Sequence, residues 1–202
     1  MAGEEERGAA RKAQIFEAAA TVFARQGYHG ARMDDIVKQS GLSKGALYWY
    51  FKSKDELATG LVHQILTAES QAMDTLMADP RPAAERLEEM VRNFAAELTR
   101  NPDKARLALE LLALAHAIPD IRSCFSSHHE YYISRIGELL GEVRGSGTQD
   151  GLPQAHRTEA AALAVASVVD GLVLRWTLAQ TPFDLEDRLW EAVDIIVREL
   201  RS

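Results

Sequence analysis

The sequence has few of the features on which secreted and membrane-spanning proteins depend. A single cysteine, Cys124, cannot form a disulfide within the chain, which favours the reducing cytoplasm. In the apolar C-terminal part the longest uncharged stretch is 160–169, far shorter than the ~20 residues that cross a bilayer. The N-terminal residues Met-Ala-Gly-Glu-Glu-Glu lack the basic and apolar regions of a secretory signal. We therefore expect a cytoplasmic protein with no membrane partner.

Motifs of enzymatic and metal-binding chemistry are also missing from the sequence. There is no glycine-rich phosphate loop, nucleophile elbow or paired-carboxylate motif. Among His63, His116, His128 and His129, no two stand four residues apart, the spacing of a metal site on a helix. We therefore predict a protein that is not an enzyme and needs no metal or other cofactor, while a small helical enzyme stays the alternative.

Charge is unevenly distributed along the chain, although the total of −7 is acidic. Residues 1–54 contain nine Lys and Arg against six Asp and Glu, a formal charge of +3, and the rest of the chain carries −10. A small basic part attracts phosphates while an acidic remainder is repelled by them. The distribution therefore permits nucleic-acid binding through the N-terminal part alone.

Apolar residues recur at helical spacing almost everywhere, and no long window shows the alternation of a β-strand. With 47% hydrophobic residues the chain can bury a core in one large domain or in two unequal ones. The pattern predicts an all-α fold of about nine helices, separated by glycine and proline signals. The predicted ranges are 7–26, 33–40, 44–51, 53–78, 82–100, 103–117, 120–144, 155–180 and 184–200.

Residues 33–54 have the pattern of a helix-turn-helix, two short helices joined by a tight turn at Gly41. Ser43 is placed to cap the second helix. Leu47 and Phe51 share its inward face, so its other side is exposed. That outward face consists of Gly45, Ala46, Tyr48 and Trp49.

Small and aromatic residues are unusual on a helix face that meets only water, but they suit a DNA major groove. Ala46 could contact a thymine methyl, and Lys44 could donate to guanine or to a phosphate. Tyr48 and Tyr50 offer rings and hydroxyl groups to bases and phosphate oxygens. The alternative is that these aromatic residues simply pack the three-helix head.

The segment Leu42-Ser43-Lys44-Gly45-Ala46-Leu47-Tyr48-Trp49-Tyr50-Phe51-Lys52-Ser53-Lys54-Asp55-Glu56-Leu57 resembles the recognition-helix region of the tetracycline-repressor (TetR) family. Residues 23–28 and 35–37 match the pattern of that family too, so the likeness covers about residues 10–60. It implies a repressor that binds palindromic double-stranded DNA as a homodimer and is released by a small-molecule effector. An activator, or a DNA-binding protein without effector control, is the alternative.

The resemblance also implies which residues contact DNA. Bases are expected to meet Lys44, Gly45, Ala46, Tyr48 and Trp49, and phosphates to meet Ser43, Tyr50 and Lys54. Family members often begin the second helix with Thr or Ser, where this chain has Ala31-Arg32. We expect Arg32 to replace the phosphate contact of that hydroxyl, with loss of the side-chain cap.

Two domains follow from this assignment: a DNA-binding domain at 1–52 and a ligand-binding and dimerisation domain at 53–202. The two apolar C-terminal helices predict a dimer interface as a two-fold four-helix bundle. Its expected residues are Val165, Val169, Leu172, Leu185, Leu189, Val193 and Ile196. The expected ligand pocket is lined by Phe94, Leu98, Glu110, Leu111, Phe125, His129, Tyr132, Asp170 and Trp176, all of which could equally be core or seam residues.

The basic residues Arg7, Arg11 and Lys12 precede the helix-turn-helix and have two interpretations. They could be the solvated start of the first helix. They could also reach a phosphate or the minor groove, as basic arms do in other DNA-binding proteins.

Overall fold

The computed structural model describes residues 2–145, 154–179, 181 and 183–201 of the chain. Across these residues it consists of nine helices and contains no strand, which confirms the predicted all-α class. The helices are α1 (Ala2–Gly30), α2 (Met33–Ser40), α3 (Lys44–Tyr50), α4 (Lys54–Met77), α5 (Ala83–Arg100), α6 (Pro102–Leu114), α7 (Pro119–Arg144), α8 (Gln154–Leu178) and α9 (Leu185–Arg201).

The helix bounds differ most from the sequence prediction in α1, which begins at Ala2 rather than at residue 7, and at the ends of α1 and α6. The helical turn resumes after Gly27, so that α1 reaches Gly30, but the backbone leaves helical geometry at Gly27 itself, with φ 69° and ψ 161°. Only glycine adopts such a conformation without strain, so the predicted stop signal produces a break inside the helix. The sixth helix ends at Leu114 rather than at 117, because its last turn opens into a series of tighter turns.

The chain divides into two compact units. The first consists of Met1–Thr67 together with Arg106–Phe125, so most of α6 and the start of α7 fold with the N-terminal helices. Its core joins residues of α1 and α3, such as Ile15, Phe23 and Leu47, to Leu107 and Leu111 of α6. Burial of side chains from six helices stabilises the unit, since each large apolar side chain contributes about 1.5–3 kcal/mol.

The sixth helix is less buried than its composition predicts. Leu107, Leu111 and Leu114 are buried in the first core, but Leu112 keeps 50% of its surface exposed. A helix that is apolar on most sides is usually surrounded by other elements. In the single chain only one of its faces is covered.

The second unit consists of Ala68–Ala105 and Ser126–Ser202, and α5, α8 and α9 pack together in it. Four residues predicted at the dimer interface, Val165, Leu185, Leu189 and Val193, have at most 1% of their surface exposed and belong to this core. That assignment is corrected, because a side chain with no free surface inside its own chain cannot meet a partner. Val169, Leu172 and Ile196 are only partly buried against the same core.

A different set of apolar side chains is exposed on α8 and α9. Leu163, Leu174 and Leu178 of α8 keep 51%, 45% and 71% of their surface, and Ile195 of α9 keeps 68%. By length and composition, His156–Leu178 would also be able to cross a membrane, and only 22% of its most apolar window is buried. Asp170 and Arg175 interrupt that stretch. An uncovered helix face of this kind is typical of a surface that packs against another protein.

Candidate nucleic-acid interface

The second helix begins without the hydroxyl cap that the resemblance would supply. Instead the carboxylate of Asp35 accepts a hydrogen bond from the backbone N–H of Arg32, at 3.1 Å. The Arg32 side chain is exposed and takes no part in this cap. The helix ends at Ser40 and Gly41 follows in the left-handed region with φ 68°, which confirms the predicted turn.

The third helix is short and is held at both ends by side chains. Ser43 caps it as predicted, its Oγ accepting a hydrogen bond from the N–H of Ala46 at 3.2 Å. At the other end the Lys52 ammonium donates to the carbonyls of Tyr48 and Trp49, at 2.8 and 3.4 Å. Leu47 is fully buried. These contacts fix the orientation of a seven-residue helix that could not persist alone.

The outward face of α3 is open, as the helical wheel predicts. Trp49 keeps 71% of its surface exposed, and its ring meets the ring of Tyr50 edge-on at a centroid distance of 4.6 Å. A Cβ added to Gly45 would find no atom within 4 Å, so the backbone there is open to close approach. Ala46 and Tyr48 are half-buried. The structure thus brings the predicted base-contacting residues together on one face.

The cation of Lys44 has a partner that the sequence analysis did not identify. Its Nζ lies 2.7 Å from an Asp34 oxygen, and both side chains are well exposed. The hydrogen bond and the charge of Asp34 raise the pKa of Lys44. An exposed pair of this kind contributes little to stability and opens readily when a stronger anion arrives.

Lys54, predicted to meet a phosphate, is engaged inside the head. Its ammonium donates to the carbonyls of Tyr28 and Ala31 at 2.6 and 2.8 Å, and lies 4.3 Å from the centroid of the Tyr28 ring. The Tyr28 hydroxyl in turn donates to Asp55. Burial and Asp55 together raise the pKa of Tyr28 well above its usual range. Lys54 therefore ties the start of α4 to the segment after the break in α1.

Glu110 was expected in a ligand pocket but binds the same segment. Its carboxylate accepts a hydrogen bond from the backbone N–H of Tyr28 at 2.5 Å, 82 residues away in sequence. A Cβ on Gly27 would lie 3.1 Å from that carboxylate oxygen, so glycine is required there both by φ and by space. The structure thus gives Glu110 a partner in the fold of the first unit, while its place in a ligand pocket stays a prediction. A carboxylate in an apolar helix was the only sequence signal of this contact.

The other predicted pocket residues are divided between the two units. Leu111 is buried in the first core and Phe125 packs against it, whereas Leu98 is buried in the second core. Leu98 and Leu111 are thus core residues rather than lining of an open cavity. The remaining residues all belong to the second unit: Phe94, His129, Tyr132, Asp170 and Trp176.

A polar cluster lies between α4 and α7 in the second unit. His128 Nε2 lies 3.2 Å from a Glu69 carboxylate oxygen, and its Nδ1 lies 3.3 Å from the Ser70 hydroxyl. The Tyr132 ring packs against the His128 ring at 5.4 Å. Burial, with a smaller effect of the Glu69 charge, raises the pKa of Tyr132 to about 12. Partial desolvation raises the pKa of Asp170, and His129 opposes the rise.

Two open surface pockets, of about 560 and 550 Å³, are lined by other residues. The first is lined by charged groups that are already paired, such as Arg86 with Glu142 and Arg81 with Asp79. The second lies at the end of α8, among Leu174, Leu178 and Phe183. Within the described residues no group of three His, Cys, Asp or Glu is arranged to hold a metal ion.

Comparison with known proteins agrees with this geometry. The family model for bacterial regulatory proteins of the tetR family matches residues 15–61, and the model for the C-terminal part of BetI-type transcriptional repressors matches 83–201. The probable HTH-type transcriptional regulator ArpR of Pseudomonas putida is 28% identical over 196 residues, 94% of this chain and 91% of that protein. The HTH-type regulator YfiR of Bacillus subtilis is 29% identical over 136 residues, 64% of this chain and 63% of YfiR.

A solved structure of similar fold is FadR from Bacillus subtilis in complex with stearoyl-CoA. It has a TM-score of 0.75 and 23% identity, covering 91% of this chain and 96% of that one. The C-terminal family model alone spans more than half of the chain, and the N-terminal one contains the helix-turn-helix described above. The chain therefore belongs to the tetR family of bacterial regulatory proteins and is a DNA-binding transcriptional regulator.

Proposed function

We propose that this chain is a homodimeric repressor that binds a palindromic operator and leaves it when a small-molecule effector binds. One observation carries the proposal. The helix α3 is capped at both ends and anchored by Leu47, yet its Trp49 side chain is exposed to solvent over 71% of its surface. A rigid helix with an aromatic, small-residue face is suited to a major groove. Since the operator is chromosomal DNA, the site of action is the bacterial cytoplasm.

The base contacts are assigned to the open face of α3. Gly45 lets the backbone approach the groove, and Ala46, Tyr48 and Trp49 offer apolar contact to thymine methyl groups. Lys44 reaches guanine only after it leaves Asp34. Breaking this exposed ion pair costs little free energy, so Lys44 can leave Asp34 and bind a base or a phosphate instead.

The phosphate contacts are assigned to residues around the rim of α3. The Ser43 hydroxyl accepts from Ala46 and keeps its own proton to donate, and the Arg32 guanidinium is exposed. Tyr50 supplies a second hydroxyl. Lys54 has two of its three N–H bonds engaged by carbonyls, so its contact is made by the third N–H and by the free backbone N–H groups of the first turn of α4.

The dimer interface is assigned to the exposed apolar face of α8 and α9. Leu163, Leu174, Leu178 and Ile195 are the large side chains available there, with the partly buried Val169, Leu172 and Ile196 beside them. Pairing of two such helices across a two-fold axis gives a four-helix bundle. Two copies of α3 must then stand about 34 Å apart, one turn of DNA.

The effector site is assigned to the second unit. Phe94, Tyr132 and Trp176 are partly buried there, and the carboxylates of Glu69 and Asp170 supply negative charge. Aromatic rings with carboxylates favour an amphipathic or cationic molecule. FadR, which shares the fold, was solved with stearoyl-CoA, a large amphipathic ligand. Release from DNA requires that the effector bind the released form more tightly, by roughly 5- to 150-fold.

The test is footprinting and gel shift on the DNA upstream of the protein's own gene. We expect one protected stretch with two symmetric halves centred about 10 base pairs apart. Tyr48→Ala should abolish the specific shift, and Tyr48→Phe should retain most of it, since the ring makes the base contact. A reporter strain lacking the gene should show increased expression from that promoter. An asymmetric footprint, or Tyr48→Ala that binds like the wild type, would refute the proposal.

A further inference from the structure

The first turns of α1 lie directly beside the helix-turn-helix. A Cβ on Gly8 would sit 3.8 Å from the Tyr50 hydroxyl, at the end of α3. One turn further on, the Lys12 ammonium lies 5.7 and 5.9 Å from the ring centroids of Phe16 and Phe51. The N-terminal half of α1 therefore continues the surface formed by the recognition helix.

The opposite edge of the same segment meets the turn. The Gln14 side chain donates a hydrogen bond of 2.7 Å to the carbonyl of Ser40, the last residue of α2. Arg7 and Arg11 stand four residues apart and share a face with Gln14, next to the face of Gly8. Their neighbours on α1 therefore contact the helix-turn-helix at two points, Gln14 at Ser40 and Gly8 near Tyr50.

Both arginines are exposed, and neither forms an ion pair with any side chain that the structure describes. Lys12 differs, because its charge rests over two aromatic rings and helps to pack the head. The exposed carboxylates of Glu6 and Glu17 fall on a different face of α1, about a third of a turn away. Between residues 6 and 17 the two unpaired arginines therefore share the side of α1 that carries Gln14 and meets the end of α2 at Ser40.

We propose that Arg7 and Arg11 form a DNA-contacting arm that grips the phosphate backbone next to the groove entered by α3. The proposal rests on the proposed operator binding and extends its contact surface beyond the helix-turn-helix. Phosphate is the partner that the chemistry favours, because a guanidinium binds its oxygens in bidentate fashion. Each arginine occurs twice in a dimer, so the arm adds four cations to the contacts with the operator backbone.

The salt dependence of binding measures such contacts. Each phosphate contact contributes about 0.9 to the slope of log K against log salt. Loss of four contacts should therefore reduce the slope by roughly three to four, and weaken binding roughly tenfold or more at moderate salt. Base-specific contacts would leave a different signature, namely a loss confined to particular flanking sequences.

The experiment measures fluorescence anisotropy of a labelled operator duplex with the full-length protein over a range of KCl concentrations. It compares the wild type, Arg7→Ala/Arg11→Ala, Arg7→Lys/Arg11→Lys and the charge control Arg188→Ala, which removes an exposed cation from α9. We expect the double alanine variant to bind more weakly with the reduced slope. The lysine variant should keep most of the slope, and Arg188→Ala should bind like the wild type.

Three results would overturn the proposal that Arg7 and Arg11 contact phosphates. Unchanged affinity and slope in the double alanine variant, while Tyr48→Ala still abolishes binding, would leave operator recognition intact and remove the arm. A loss seen with A·T-rich flanks but absent with G·C-rich flanks would show minor-groove contact in place of phosphate contact. An equal loss in Arg188→Ala would show a general charge effect. If Tyr48→Ala bound the operator as tightly as the wild type, that result would instead count against the proposed function.

Discussion

The carboxylate of Glu110 accepts a hydrogen bond from the backbone N–H of Tyr28, immediately after the break in α1. The start of α4 also holds this residue, since the Lys54 ammonium donates to its carbonyl and the Asp55 carboxylate accepts from its hydroxyl. Three helices, α1, α4 and α6, thus meet at one residue. A movement of α6 or of α4 would act on the position of α1 through these bonds.

Replacement of Glu110 should therefore destabilise the first unit. Glu110→Ala leaves the N–H of Tyr28 without its acceptor, and we expect a loss of about 1–3 kcal/mol in the free energy of unfolding. Glu110→Gln keeps a carbonyl acceptor and should lose less. Urea denaturation followed by circular dichroism measures both, with the exposed Glu130→Ala as the matched control. Equal stability of Glu110→Ala and the wild type would show that the contact contributes nothing.

Lys54→Ala should affect stability as well as DNA binding. It removes the donor to two carbonyls in the partly buried segment after Gly27, at a cost of about 1–3 kcal/mol. The melting temperature should fall in the absence of DNA. Lys52→Ala is the comparison, because that lysine donates to the end of α3 and is exposed. If only Lys52→Ala lowered the melting temperature, the structural role of Lys54 would be disproved.

Asp34→Asn should tighten operator binding. The substitution frees Lys44 from its ion pair and removes a negative charge from the DNA-facing side of the head. We expect affinity to rise roughly two- to fivefold at low salt, an effect that high salt should screen. Anisotropy titrations at two salt concentrations test this, with Asp103→Asn as a charge control outside the head. Weaker binding would indicate that Asp34 positions Lys44 productively.

Leu174→Glu should yield monomers that remain folded. The side chain is 45% exposed on α8, so a carboxylate there is harmless in the single chain but is buried without a partner in the proposed dimer. Sedimentation velocity should show the change in mass, and operator affinity should fall sharply because half-sites then bind independently. Ser127→Glu adds the same charge at an exposed position of α7 and should stay dimeric. A dimeric Leu174→Glu protein would place the interface elsewhere.

Leu189→Ala should lower the stability of the fold and leave dimerisation intact, the reverse of Leu174→Glu. Leu189 is fully buried in the second core, so truncation creates a cavity and should cost about 2–5 kcal/mol of stability. The variant should still be dimeric at temperatures where it is folded. Thermal unfolding and light scattering distinguish the two effects, and Leu112→Ala, at an exposed leucine of α6 outside the proposed interface, is the control for stability.

The helix-turn-helix was predictable because local rules determine it. The glycine at position 41, the hydroxyl of Ser43 and the inward Leu47 each act within a few residues, and the structure places all three as expected. Apolar spacing also gave the helix ranges to within a few residues. These signals need no knowledge of which helices meet.

The dimer face and the pocket were harder to predict because they depend on long-range packing. The apolar stripe of α9 contains Leu185 and Leu189, and a stripe of this kind does not reveal whether it meets its own chain or another. It meets its own chain, while the exposed Ile195 stands outside the stripe. Likewise nothing local connects Glu110 to Tyr28. Such contacts require the arrangement of helices far apart in sequence.

The membership of Leu107, Leu111, Leu114 and Ile121 in the core of the first unit has a practical consequence for protein engineering. A fragment cut after residue 52 would leave Phe23, Leu47 and their neighbours without the leucines that shield them from water. Grafting this DNA specificity onto another regulator therefore calls for transplanting α6 with the head, or for matching its leucines and Glu110 in the recipient. The recognition helix and the helix that completes its core would then be transferred together.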